Sequence, residues 1–124
     1  MFRILLVDDD ELFRATLRRL LDSRFSEICL EEAADGVEAL LKVGQFNPDA
    51  VFMDIQLPGE NGLSLTKKIK KGYPEIIVII LTSHDLPEYR EAAQECGADY
   101  FASKQGSTAQ EVLGVIEALM KAPS

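Results

Sequence analysis

The chain alternates short, wholly apolar runs with longer segments in which apolar residues recur at helical spacing. Ile4, Leu5, Leu6 and Val7 lie within residues 3–8. Ala50, Val51, Phe52 and Met53 lie within residues 49–54, and residues 76–81 are apolar throughout. Continuous runs of this length, rich in Ile and Val, read as strands buried on both faces, as in a parallel sheet. Two weaker runs, 28–33 (broken by Glu31 and Glu32) and 99–102 (with Tyr100 and Phe101), read as strands nearer the edges.

Between these runs lie helical patterns. Over 10–24, Leu12, Phe13, Leu17, Leu20 and Leu21 make one stripe behind an acidic start in which Asp10 suits a cap. Over 35–45, Asp35 offers an N-cap and Val37, Ala39, Leu40 and Leu41 follow. Over 62–71, Leu63, Leu65 and Ile69 face inward while Lys67, Lys68, Lys70 and Lys71 stay in water. Over 87–96, Pro87 suits a first turn after Asp85, and Gly97 suits the stop. Over 107–121, Ser107 with Gln110 and Thr108 with Glu111 fit capping boxes, and Leu113, Ile116, Leu119 and Met120 give the stripe.

Strand and helix thus alternate five times, the signature of an α/β sandwich with a parallel sheet covered by helices on both faces. The order 2-1-3-4-5 belongs to the flavodoxin-like, doubly wound (βα)5 class of such sheets and is not written in the residues. In that order the ligand site falls at the carboxyl edge, between the first and third strands.

A length of 124 residues suits one domain. The apolar share of 47% and charged share of 27% are ordinary for a globular chain. No apolar run approaches the roughly 20 residues of a membrane helix. The N-terminal apolar run is too short for a signal-peptide core and ends in acid, so a cytoplasmic location and no membrane partner are expected. Cys29 and Cys96 lie far apart with no metal-binding spacing, which favours two buried small hydrophobes over a disulfide or zinc site. A net charge of −8 would repel a duplex, so direct nucleic-acid binding by this chain is not expected.

Part of that charge is local, because Asp8, Asp9, Asp10 and Glu11 are consecutive. Asp8 and Asp9 end the first strand and Asp54 ends the third, so the topology brings three carboxylates to the switch point. Close carboxylates repel one another, and a hard divalent cation with oxygen ligands resolves the conflict. Magnesium, which keeps several waters and takes phosphate oxygens, is the expected one. Thr82 ends the fourth strand and Lys104 follows the fifth. A hydroxyl and an ammonium aimed at the same edge complete a site for phosphoryl transfer to a carboxylate.

Taken in order, these pieces resemble the receiver domain of bacterial two-component response regulators. They are Ile4-Leu-Leu-Val-Asp8-Asp9-Asp10, Asp35-Gly36, Asp49-Ala-Val-Phe-Met-Asp54, Leu57-Pro58-Gly59 to Gly62, Leu81-Thr82-Ser83 and Gly97-Ala-Asp99 to Lys104. The likeness spans residue 2 to about 121, with 122–124 as a tail or the start of a linker. It implies that Asp54 accepts a phosphoryl group from a histidine kinase or histidine phosphotransfer protein. It also implies Mg2+ on Asp9, Asp54 and the carbonyl of Gln56, with Asp8 acting through water. Thr82 and Lys104 would contact the phosphoryl group. Thr82 and Phe101 would switch the surface of the fourth helix, fifth strand and fifth helix, where a homodimer would also form. Gln56 and His84 would flank the path of the water that removes the phosphoryl group. The implied role is that of a signalling domain, not an enzyme with a separate substrate. Gln105 departs from the family, which very often has proline after the lysine. A cis bond before a non-proline costs about 3–4 kcal/mol, so the family's usual cis peptide lacks support here, and Gly106 is placed to make the turn.

Other readings fit less well. An aspartyl phosphatase of the haloacid-dehalogenase type wants a second acid where Gln56 stands. A flavin-binding protein wants a phosphate loop where four acids stand. A nucleotide switch wants a Gly-x-x-x-x-Gly-Lys loop, which is absent. A receiver-like interaction module that is never phosphorylated is the rival from a different class.

Overall fold

A computed structural model describes residues 1–105 and 108–121. Five strands and five helices alternate: β1 (Phe2–Val7), α1 (Glu11–Arg24), β2 (Ile28–Ala33), α2 (Gly36–Phe46), β3 (Ala50–Met53), α3 (Gly62–Gly72), β4 (Ile77–Thr82), α4 (Pro87–Glu95), β5 (Tyr100–Ser103) and α5 (Thr108–Lys121). The strands form one parallel sheet in the order β2-β1-β3-β4-β5. The two weaker runs are its edges, as expected, and the three continuous runs its centre.

Alternate residues of each central strand point to opposite faces, so each strand feeds two cores. Leu5, Val7, Val51, Met53, Val78 and Ile80 pack with Ala39 and Val43 of α2, Leu65 and Ile69 of α3 and Ala93 of α4. Ile4, Leu6, Ala50, Phe52, Ile79 and Leu81 pack with Leu17 and Leu21 of α1 and Val112 and Ile116 of α5. Burial on both faces explains why these strands carry no polar alternation.

Helix ends follow the chemistry of their caps. Asp10 accepts from the N–H groups of Leu12 and Phe13, and Asp35 accepts from Glu38 N. Glu38 reaches back to Ala34 N at 2.8 Å, closing a reciprocal cap. Pro87 opens α4, and Gly97 follows that helix with φ +92°, a value that favours glycine. The capping pairs at Ser107 and Thr108 and the Gly106 turn lie outside the residues and side chains described. No peptide bond among the described residues is cis.

Several side chains depart from the expected stripes. Leu12 is 80% exposed, because the core-facing line of α1 runs through the partly buried Phe13 and the buried Leu17 and Leu21 at four-residue steps. In α2 the buried face is made of the small residues Gly36 and Ala39 with Val43, and Val37, Leu40 and Leu41 face outward. Lys70 does not stay in water. Its ammonium donates to the carbonyls of Pro74 and Ile76 at 3.1 and 2.7 Å and pairs with Asp99 at 2.9 Å. It thereby ties the end of α3 to the start of β5. Cys29 and Cys96 are unpaired and half-buried, not fully buried, since both sit near element ends.

The loop after β3 folds tightly against the start of α3. Gly62 N donates to Ile55 O at 2.7 Å, and a Cβ on Gly62 would come within 1.9 Å of the Asp54 carbonyl oxygen. That neighbour is backbone, so no side-chain rotation relieves the clash. Gly62→Ala is expected to lower unfolding free energy by about 1–3 kcal/mol, as overpacked cores do. Chemical denaturation checks this. A variant as stable as the parent would show that the loop has slack the structure does not display.

Candidate functional site

The parallel register sets the site. Val7 stands beside Met53, and beyond them Asp54 N donates to Val7 O at 3.0 Å while Asp8 N donates to Ala33 O at 3.1 Å. Asp8 and Asp54 therefore emerge side by side at the carboxyl edge of β1 and β3. Across the sheet Thr82 pairs with Ser103, and Lys104 N donates to Thr82 O at 2.8 Å. The last turns of four strands thus converge on one corner, the point where strand order reverses.

Asp8 and Asp54 are only 4% and 7% exposed, Thr82 is fully buried, and Asp9 is exposed. Each of the three carboxylates offers an oxygen lying within 4.8 Å of the other two. Lys104 enters this cluster with its ammonium 2.6 Å from Asp8 Oδ2 and 3.7 Å from Asp54 Oδ2. The other Asp8 oxygen accepts from Asp10 N at 2.9 Å. Among the described residues the donor set is carboxylate oxygen, with neither imidazole nor thiolate, which fits a hard divalent cation such as magnesium and not a soft one. Thr82 Oγ1 accepts from His84 N at 3.0 Å, so its hydroxyl proton remains to be donated elsewhere.

The remaining sequence candidates lie around this corner. Gln56 is exposed two residues beyond Asp54. His84 is exposed in the β4–α4 loop, in a T-shaped pair with Tyr89 whose ring centroids are 6.2 Å apart. Phe101, opposite Ile80, is half-buried against the core on the α2–α4 side, and the Arg90 guanidinium covers its ring at 4.7 Å. Arg90 also makes a two-pronged pair with Asp85, at 2.7 and 3.1 Å.

Four supporting residues escape a reading of the sequence alone. Arg14 donates to the Asp8 backbone carbonyl and to Glu32 of β2 at 2.9 Å, and Arg18 pairs with the second Glu32 oxygen at 3.0 Å. These bonds brace the acidic turn against the edge strand. Phe13 lies under the Lys104 ammonium, 4.3 Å from ring centroid to nitrogen. Its place in the α1 stripe marks it as core and gives no hint of that contact. Arg90 is likewise an unremarkable helix-face charge until β5 is laid beside it.

Comparison with known proteins agrees with the geometry. A family model described as "Response regulator receiver domain" matches residues 4–116. A curated relative, the response regulator MprA of Mycobacterium leprae, is 36% identical over 119 residues, covering 96% of this chain and 51% of its own length. The chain therefore spans about half the length of the curated relatives it matches. Among solved structures, a LuxR-family two-component response regulator from Aurantimonas sp. SI85-9A1 superposes with a TM-score of 0.87 at 34% identity, over 94% of this chain and 83% of that one. The response regulator domain of Thermotoga maritima CheB gives 0.85 at 30% identity, over 100% and 99%.

The electrostatics of the corner carry a measurable cost. Burial, and then the Asp8 charge, push the Asp54 carboxyl up from 3.8 to about 6, with Lys104 pulling the other way. Between these values the folded chain holds a proton that the unfolded chain has released. Stability contributed by this group therefore falls as pH rises from about 4 to 6, and the whole deficit remains above that window. In chelator, Asp54→Asn should raise unfolding free energy at pH 7.5 by an amount on the order of 2–3 kcal/mol. The gain should fade below pH 4, where the native carboxyl is protonated in both states. Thermal melts of both proteins across that range check it. A variant less stable than the parent at pH 7.5 would mean that the carboxylate is not under strain.

Proposed function

The chain belongs to the response regulator receiver family, and from that premise we propose that Asp54 accepts a phosphoryl group and thereby switches an outer surface of the domain. As a family member it is a receiver domain of the two-component response regulators, a signalling domain. The observation that carries the finer reading is the shared corner: two buried carboxylates, the Lys104 ammonium and the Thr82 hydroxyl at one sheet edge.

On this reading an Asp54 oxygen attacks the phosphorus of a phosphohistidine on a histidine kinase or phosphotransfer protein. The P–N bond breaks as the P–O bond forms, and the departing imidazole takes up a proton. Asp9, Asp54 and the Gln56 carbonyl would hold a magnesium ion, with Asp8 acting through water, and the ion would neutralise charge on the phosphoryl oxygens when bound. Lys104 is already within 3.7 Å of Asp54 and stabilises the added negative charge. Thr82 turns its hydroxyl toward the same oxygens, and Phe101 moves into the space beside it. Two populations, one with Phe101 out under Arg90 and one with it in, then differ in affinity for the phosphoryl group. The surface of α4, β5 and α5 reads out the difference, in a homodimer or against another partner. Residues 1–121 form the receiver and 122–124 its tail or linker. Among the described residues no helix is long and apolar enough to cross a membrane.

Acetyl phosphate with magnesium tests the core of this proposal. The intact chain should gain one phosphoryl mass, and Asp54→Asn should gain none. A parent that stays unmodified would favour the interaction-module reading, and full labelling of the variant would move the acceptor elsewhere. Gln56 and His84, both exposed at the rim, are expected to hinder the water that attacks phosphoaspartate. Gln56→Ala and His84→Ala should each speed loss of the phosphoryl group by more than about twofold, a barrier change near 0.4 kcal/mol. Decay curves that overlay the parent's would remove both residues from the water path.

A further inference from the structure

Among the described residues the Lys104 ammonium has three partners, and two of them change character when the site is used. Asp8 and Asp54 hold the ammonium as carboxylates, at 2.6 and 3.7 Å. Their pull weakens once their charge is shared with a divalent cation, and Asp54 ceases to be a simple carboxylate once it carries a phosphoryl group. The third partner is the face of the Phe13 ring, 4.3 Å from the nitrogen. A ring face is electron-rich without being a ligand for a hard cation, so it attracts the ammonium and does not compete for the metal.

We propose that Phe13 is a positioning residue for Lys104, holding the ammonium beside Asp54 through the steps in which the carboxylates release it. The local fold supports that role. Phe13 sits in the first turn of α1, where its N–H donates to the Asp10 cap at 3.2 Å. Asp10 N in turn donates to Asp8 Oδ1 at 2.9 Å. The ring is thereby fixed to the same turn that carries the acids. Its inner side packs against the α1–α5 core, and Phe13, Asp8 and Asp54 together line a cavity no larger than one water. Lys104 is 13% exposed, so solvent competes weakly for its ammonium. A ring–ammonium contact is stronger when desolvated in this way.

The proposal rests on the phosphoacceptor reading for its consequence, and a direct signal separates the two. In the intact chain the ring current of Phe13 should move the Lys104 ε-methylene resonance upfield of the other lysines. The shift should persist at saturating magnesium and vanish in Phe13→Leu with the amide spectrum otherwise retained. With acetyl phosphate, Phe13→Leu should slow phosphoryl uptake roughly fivefold, the scale of a partly desolvated ring–cation contact. Phe13→Tyr, which keeps the ring, should remain within about twofold of the parent. In a Lys104→Met background Phe13→Leu should add nothing, because the group it positions is gone. An ε-methylene signal that is unshifted, or that returns to the ordinary position with magnesium, overturns the proposal. So does an equal slowing in both backgrounds, which would make Phe13 a packing residue only. If the parent takes up no phosphoryl group the acceptor reading fails, while the methylene resonance still decides whether the ring holds the ammonium.

Discussion

Two carboxylates cannot share a buried corner without an opposite charge, and the structure is arranged around that constraint. Asp8 and Asp54 lie side by side because β1 and β3 are parallel neighbours in register. Lys104 is delivered to them by β5 from the far edge of the sheet, two strands away from β3. One ammonium against three acids leaves the corner short of positive charge, which is why the Asp54 carboxyl is pushed up and why a hard cation fits. The same shortage would favour any event that brings cations or consumes a carboxylate charge.

Around the corner, bracing comes from residues with no chemistry of their own. Arg14 spans from the Asp8 carbonyl to Glu32, and Arg18 and Lys42 hold Glu32 and Glu31 on the same edge strand. Charged residues on β2 therefore do two jobs: they anchor α1 and α2, and they make the open edge a poor template for a foreign strand. Lys70 braces the opposite side through Asp99, whose carboxylate also accepts from Val78 N at 2.9 Å. Gly62 leaves room for the backbone that carries Asp54.

The order of elements and the corner itself were legible in the sequence because both follow from short-range signals. Continuous Ile- and Val-rich runs can hardly be anything but doubly buried strands, and acids at their ends must meet where the strands end. Legibility stopped where partners are distant in the chain. Lys70 looks like any solvated helix lysine until Asp99 and the carbonyls of Pro74 and Ile76 close around it. Phe13 and Leu12 are adjacent and equally apolar, yet one is covered by Lys104 and the other by water. The helical period alone separates them only after the rest of the α1 stripe is fixed by its packing on the sheet. Leu40 and Leu41 mislead for the opposite reason, since α2 approaches the sheet through its smallest residues.

Strands buried on both faces have a weakness that half-exposed strands lack. A slide of β1 by two residues in the direction that moves its C-terminal end inward would keep every side chain on its own face and leave Leu6 and Val7 against apolar surface. Nothing along the middle of the strand forbids it. The acids at its end do, because such a slide would draw Asp8 and Asp9 into the sheet away from Lys104, and an uncompensated buried charge is strongly destabilising. The charged corner is thus also a mark of the native strand register. A sequence that traded these acids for apolar residues would lose a reference mark as well as a cluster of charge.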